Sequence, residues 1–187
     1  MKKLILLFSI FLLISPVLAF SQDSEKKEVK TRGGISEIPA AKRPKPIDKE
    51  KARIALEHDE NDKTDEKNKN TIKYGMASEV AVLLDKLIDN DDPRYTEDIY
   101  DLFQVTKNSS IREKVLNYFA KIEDPCLEDY AVELLNDPYE EKNDVVKACF
   151  NYVGKVKTKA AVPAVITLIE TENETYFNDA VSSLGEI

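Results

Sequence analysis

The 187-residue chain has no tryptophan, one histidine, two cysteines and five glycines. Each shortage excludes a class of chemistry. The single histidine, His58, sits beside Glu57, Asp59 and Glu60, so no His/Cys set is available to bind zinc and no imidazole base stands in the helical region. Two cysteines are too few for a disulfide-dense scaffold. The few glycines form no phosphate-cradling loop, and no Ser-centred elbow is present. No metal or cofactor is therefore expected. Positive charge is also scarce where it matters for nucleic acid: the net charge is −8, and residues 71–187 hold 12 basic against 23 acidic side chains. Such a surface repels phosphate, which disfavours nucleic-acid binding.

The one long apolar run covers residues 4–14, preceded by Lys2 and Lys3 and followed by Pro16 and small residues. This pattern reads as a signal peptide over residues 1–21 rather than a membrane anchor, because 11 apolar residues span a bilayer poorly. Cleavage after Ser21 removes Phe20 with the signal; cleavage after Ala19 is the alternative. The expected location is outside the cytoplasm, in the periplasm or cell envelope or secreted, with no membrane span once the signal is removed. Residues 22–70 then carry 13 Lys or Arg and 12 Asp or Glu. They read as a disordered charged linker with too little apolar surface to fold alone, except for a brief helix over 47–57. Within it the cluster Lys42, Arg43 and Lys45 reads as solvated linker charge, with contact to anionic lipid headgroups as the alternative.

Downstream the sequence repeats. Asn117-Tyr118-Phe119-Ala120-Lys121-Ile122 aligns with Asn151-Tyr152-Val153-Gly154-Lys155-Val156 and with Ser182-Ser183-Leu184-Gly185-Glu186-Ile187. Before each ending runs an apolar stripe spaced i, i+4, i+8, i+11: Ile111, Val115, Phe119 and Ile122; Val145, Cys149, Val153 and Val156; Tyr176, Ala180, Leu184 and Ile187. That spacing is one face of an α-helix. A shorter helix follows in each unit, since Leu127, Tyr130, Ala131, Leu134 and Leu135 fall on Ala161, Ala164, Val165, Leu168 and Ile169. Asp92-Pro93, Asp124-Pro125 and Asp137-Pro138 place a capping acceptor before a proline at a helix start. Ser110 with Glu113 reads as a capping box, and Asn108-Ser109-Ser110 as a helix start rather than a glycan acceptor. Helices are expected near 72–89, 94–105, 110–122, 125–136, 143–156, 159–170 and 174–187.

This pattern, with its Leu-Gly-Glu-Ile and Val-Gly-Lys-Val endings and the Ala-Val-Pro-Ala-Val-Ile segment at 161–166, resembles HEAT repeats of the short type common in bacteria. The resemblance covers residues 71–187 and implies an all-α fold, an α-solenoid of antiparallel helix pairs whose second helices line a concave, protein-binding face. The last repeat stops after its first helix, which suggests a piece of a longer protein or an end that pairs with another molecule. HEAT-like hydroxylases use His-Glu pairs that these repeats do not have, and no residue matches a lyase motif.

In the repeat register Glu97, Tyr100 and Asp101 of one second helix lie beside Glu128, Asp129 and Glu133 of the next. If those helices line a concave face, the five acids form an acidic strip with one aromatic contact, suited to a basic segment of a protein partner. The alternative is the solvated side of amphipathic helices. The helix over 160–169 carries no acid and includes Pro163, so it is either covered by a neighbour or offers an apolar patch. Cys149 occupies a stripe position and reads as a buried free thiol. Cys126 starts a helix, where its pKa would be lowered, and a disulfide to Cys149 is the other option. The expected function is a non-enzymatic binding module or scaffold in the cell envelope. A structural spacer self-associating through the C-terminal helix is second, and an enzyme such as a HEAT-like lyase third.

Overall fold

The computed structural model describes residues 42–58, 62–171 and 174–187; the expected signal peptide and the first part of the expected linker lie outside them. Among the described residues there are no strands. Nine α-helices follow one another: α1 (Lys49–His58), α2 (Asp62–Tyr74), α3 (Ala77–Asp89), α4 (Thr96–Val105), α5 (Ser109–Lys121), α6 (Glu128–Asn136), α7 (Asn143–Val156), α8 (Val162–Glu170) and α9 (Phe177–Glu186). Short 3₁₀ turns at Pro125–Leu127 and Lys159–Ala161 lead into α6 and α8, and a third lies at Pro138–Glu140.

The buried stripes are those that the periodicity implies. Helix α3 buries Val80, Leu83, Leu84 and Leu87, α5 buries Ile111, Val115, Leu116 and Phe119, and α7 buries Val145, Cys149 and Val153. Side chains at i, i+3, i+4 and i+7 share one helix face, so each helix gives one side to the core and keeps the other in water. Alternate helices pack in chain order, α3 on α5, α5 on α7 and α7 on α9. The shorter helix α6 packs on α7 and α8, and α8 on α9.

Three expectations need correction. Helix α1 falls where the brief helix over 47–57 was expected, but α2 stands inside the segment read as disordered, so ordered structure begins upstream of residue 71. Charge density misled here, because the charges pair along the helices: Arg53 bonds Glu50 and Glu57, and Lys69 bonds Asp65 at 2.9 Å. A few residues then suffice for anchoring, as Ala55, Asn68 and Ile72 are buried and the Asn68 amide donates to the Tyr95 hydroxyl at 3.1 Å. Second, the helix expected over 72–89 is two helices. A Cβ on Gly75 would stand 2.5 Å from the Thr71 carbonyl oxygen, and α3 restarts where the Glu79 carboxylate accepts from the Met76 N–H. Third, α5 is capped by Asn108, whose side chain accepts from the backbone N–H of Ser110 and Ile111, and not by a Ser110–Glu113 box.

Helices α3, α5 and α7 close in the same way. Asp91, Glu123 and Lys157 adopt left-handed backbone at φ of 50°, 54° and 62° after α3, α5 and α7. At each end the two hydrogen bonds of a Schellman turn form, for example Glu123 N to Ala120 O and Asp124 N to Phe119 O. Glycine is the residue that usually takes this place, so the device carries no glycine signal in the sequence. The chain then turns through Asp92-Pro93 and Asp124-Pro125, and the following long helix holds that turn. The Tyr118 hydroxyl of α5 donates to the Asp92 carbonyl at 2.9 Å, and the Tyr152 hydroxyl of α7 donates to the Asp124 carbonyl at 2.8 Å while accepting from Leu127 N. Both tyrosines are fully buried. On the solvent side Asn151 donates to Asn117 at 3.1 Å. Gly154 brings α7 and α9 close, since an added Cβ would meet Glu186 at 3.1–3.2 Å.

Candidate functional site: an acidic face holding a basic segment

The first turn of α4 presents Glu97, with Tyr100 and Asp101 one turn on; the first turn of α6 presents Glu128 and Asp129. Acids favour helix N-termini because the backbone N–H groups there are unpaired and the helix dipole is positive. The turn Asp124-Pro125 lies between, its Asp124 side chain accepting from the Cys126 N–H at 3.0 Å. So the face has local structural causes before any question of function arises.

Residues 42–48, with no helix, lie on this face. Lys42 Nζ bonds Asp129 at 3.0 Å and Glu128 at 3.3 Å on α6. Arg43 Nη1 bonds Asp101 at 3.0 Å and Glu97 at 3.2 Å on α4, and its guanidinium stands 5.6 Å from the centre of the Tyr100 ring. Pro44 is buried. Lys45 donates its N–H to Asp124 Oδ2 at 2.7 Å and its Nζ to the Glu123 carbonyl at 3.1 Å. Lys51 on α1 continues the series with Asp91 at 3.1 Å. Five of the six residues expected to form the strip therefore surround this segment. Glu133, further along α6, is exposed and takes none of these cations.

Electrostatics follow the geometry. The hydrogen bond to Asp129, then Glu128, holds the Lys42 ammonium above its ordinary pKa against a smaller loss from burial. Asp101, then Glu97, does the same for Arg43. Burial pushes the Tyr100 hydroxyl pKa up, so it stays neutral under the cation. The ion pairs are open to water: Arg43 is 59 % exposed, Glu97 56 % and Asp101 63 %. Pairs of this kind add little stability each and weaken with salt. The four cations Lys42, Arg43, Lys45 and Lys51 meet six carboxylates, Glu97, Asp101, Glu128, Asp129, Asp124 and Asp91, so the face keeps an excess of negative charge. Beneath residues 45–48 a cleft of about 210 Å³ runs along Pro93, Thr96 and Ile122. The Thr96 hydroxyl there is buried without a hydrogen-bond partner among the described residues.

No family model, curated protein or solved structure matches this chain.

Cys126 corrects another expectation. Its thiol is buried and its pKa is raised, first by desolvation and then by Asp124, so the helix start does not activate it. Cys149 is also buried, with its pKa raised by desolvation, and both cysteines are free. Among the described residues no cluster of His, Cys, Asp and Glu is arranged to hold a metal ion, and no helix is long and apolar enough to cross a membrane. On α8 the side chains of Ala164, Val165 and Leu168 are buried, while Pro163 and Ile166 reach the surface.

The acids were legible as a group in the repeat register. Their occupant was not, because Lys42, Arg43 and Lys45 sit among linker charges of both signs. The available signal was complementarity: a basic, proline-spaced run tethered to a domain of net charge −11.

Proposed function

We propose that this chain is an exported, non-enzymatic binding module of the cell envelope, a HEAT-like α-solenoid that takes a basic segment of a protein partner on the acidic face of α4 and α6. The solenoid part of the reading draws support from the packing of long helices in chain order and from the recurring Schellman, Asp-Pro and tyrosine contacts, since repeat arrays are built from contacts between neighbours. The binding part rests on one observation. A Lys-Arg-Pro-Lys segment is already seated on the face, paired with Glu97, Asp101, Glu128 and Asp129.

The test is retention of envelope proteins by the immobilised protein at low and high salt, beside a variant carrying Asp101→Lys and Asp129→Lys. A stoichiometric partner retained at low salt, released at high salt and missed by the variant is expected. Equal retention by both proteins would remove the acidic face from the reading.

One observation favours a second role, a spacer or assembly subunit associating through α9. Phe177 and Val181 are 40 % and 47 % exposed there, and Gly185 has open space around it. Mass that rises with concentration, and stops rising in Val181→Ser, is the expected sign of that role.

A further inference from the structure

Given that the α4–α6 face is a binding site, we infer that residues 42–46 act as a built-in substitute for its ligand. The partner carries an extended Lys-Arg-Pro-Lys type of segment, and the chain's own copy must leave before it docks.

Three observations carry this. The first is direction. Neighbouring residues Lys42 and Arg43 reach different helices, α6 and α4 respectively. Successive side chains diverge in this way in an extended backbone. A helical ligand, whose recognition side chains recur every three or four residues, would not present consecutive cations to both helices.

The second is backbone fit. Pro44 and Pro46 have no N–H to satisfy, and the one amide between them, Lys45 N–H, is bound by Asp124. Proline-rich segments are extended before they bind, so little conformational entropy is lost on docking. The buried Pro44 and the Arg43–Tyr100 contact supply a shape requirement that a merely cationic surface would not meet.

The third is replaceability. Three of the carboxylates that hold Lys42 and Arg43, Glu97, Asp101 and Asp129, are exposed and Glu128 is half-buried; a cleft runs under 45–48, and beside it Thr96 Oγ1 has no partner among the described residues. A segment integrated into the core would close that cleft and satisfy that hydroxyl, as the buried tyrosines do for the turns. An incoming segment of the same chemistry can match every contact of the resident one. The excess of carboxylates over cations continues to attract it while the exchange proceeds. An anionic lipid surface does not compete for the face, because like charges meet.

The test uses the full chain and a labelled peptide containing Lys-Arg-Pro-Lys-Pro with neutral flanks, followed by fluorescence anisotropy at low salt. The chain carrying Lys42→Ser and Arg43→Ser should bind the peptide at least about tenfold more tightly than the unaltered chain, as for a site that the resident segment closes about nine-tenths of the time. Adding Asp101→Lys should abolish binding, and a peptide with alanine in place of the first proline should bind more weakly. Circular dichroism on each variant keeps folding separate from binding. As a second route, protection of the Lys45 amide from hydrogen exchange should fall when the peptide is added to the unaltered chain.

The outcomes separate the inference from the reading on which it rests. Equal binding by unaltered and Ser-substituted chains, still lost on Asp101→Lys, leaves the face as a site and overturns the built-in substitute. No binding to either chain overturns both. Cross-links from Lys42 of one copy to Asp129 of another, with a doubled mass, overturn the intramolecular arrangement in favour of exchange between copies.

Discussion

The seam between the long helices and the seam under the basic segment are both lined by polar groups, yet water reaches only one of them. Tyr152 is fully buried and satisfies two backbone groups at once, the Asp124 carbonyl and the Leu127 N–H. Removing it strands both groups in a place where water cannot replace the bonds. At the other seam Arg43 and its carboxylates keep much of their hydration, so separating them costs little. The same Asp124 belongs to both seams: its carbonyl accepts from Tyr152 and its carboxylate holds Lys45. Polarity alone therefore says nothing about whether a contact is permanent; access to water decides.

The contrast sets an order of expected effects. Leu116→Ala, deep between the long helices, is expected to lower stability by about 2–5 kcal/mol, the range for removing a buried aliphatic side chain; urea unfolding measures it. Tyr152→Phe removes no volume but leaves two buried backbone groups unpaired, and a loss of about 1–3 kcal/mol is expected in the same assay. A negligible loss would erase the distinction between the seams. Lys157→Gly is expected to act in the opposite direction, stabilising by about 0.5 kcal/mol, since glycine takes left-handed backbone without a Cβ clash but has more entropy to lose. At the water-exposed seam, Lys42→Ser with Arg43→Ser should lower stability by only about 1 kcal/mol, the size a tenfold docking equilibrium implies, while exposing the Lys45 amide to exchange.

The pH dependence sharpens the same point. Lys42 has its folded pKa raised above the ordinary lysine value of 10.5, so its contribution to docking is fully present below that value. It is lost as the pH rises through the raised one. Since the chain lacks tryptophan, Ile47→Trp places a single indole on the segment. Its emission should stay level from neutral pH to about 10 and shift only above that, given ordinary lysine titration. A shift beginning near neutrality would mean that another group holds the segment.

The sequence made the helices legible where their apolar stripes recur at fixed spacing. Val145, Cys149 and Val153 fall on one buried line because 3.6-residue periodicity leaves no other choice. The end of α2 at Gly75 was harder to see, as both sides of it continue helical spacing; glycine stands there because a Cβ would meet the Thr71 carbonyl oxygen. Helix α2 escaped, and α1 was legible only as a brief helix, because a tally of charges ignores i, i+3 and i, i+4 pairing, which stabilises helices whose apolar face is as narrow as Ala55 or Ile72. Glu97, Asp101, Glu128 and Asp129 could be grouped from register. That a segment more than fifty residues upstream lies on them could not, because nothing local in a sequence records which distant charge neutralises which.

The covalent link between the basic segment and α1 has a quantitative consequence. A short tether holds an attached group near its site at an effective concentration on the order of millimolar. A free peptide offering only the same contacts therefore faces a rival that is always present and never diluted. Below that concentration it loses, however well its charges match. On the proposed reading, a protein that adds even one contact outside the footprint of residues 42–46 gains an advantage that the tethered segment cannot follow, and the face would act as a threshold filter, passing over scattered basic sequences and admitting a partner that brings more.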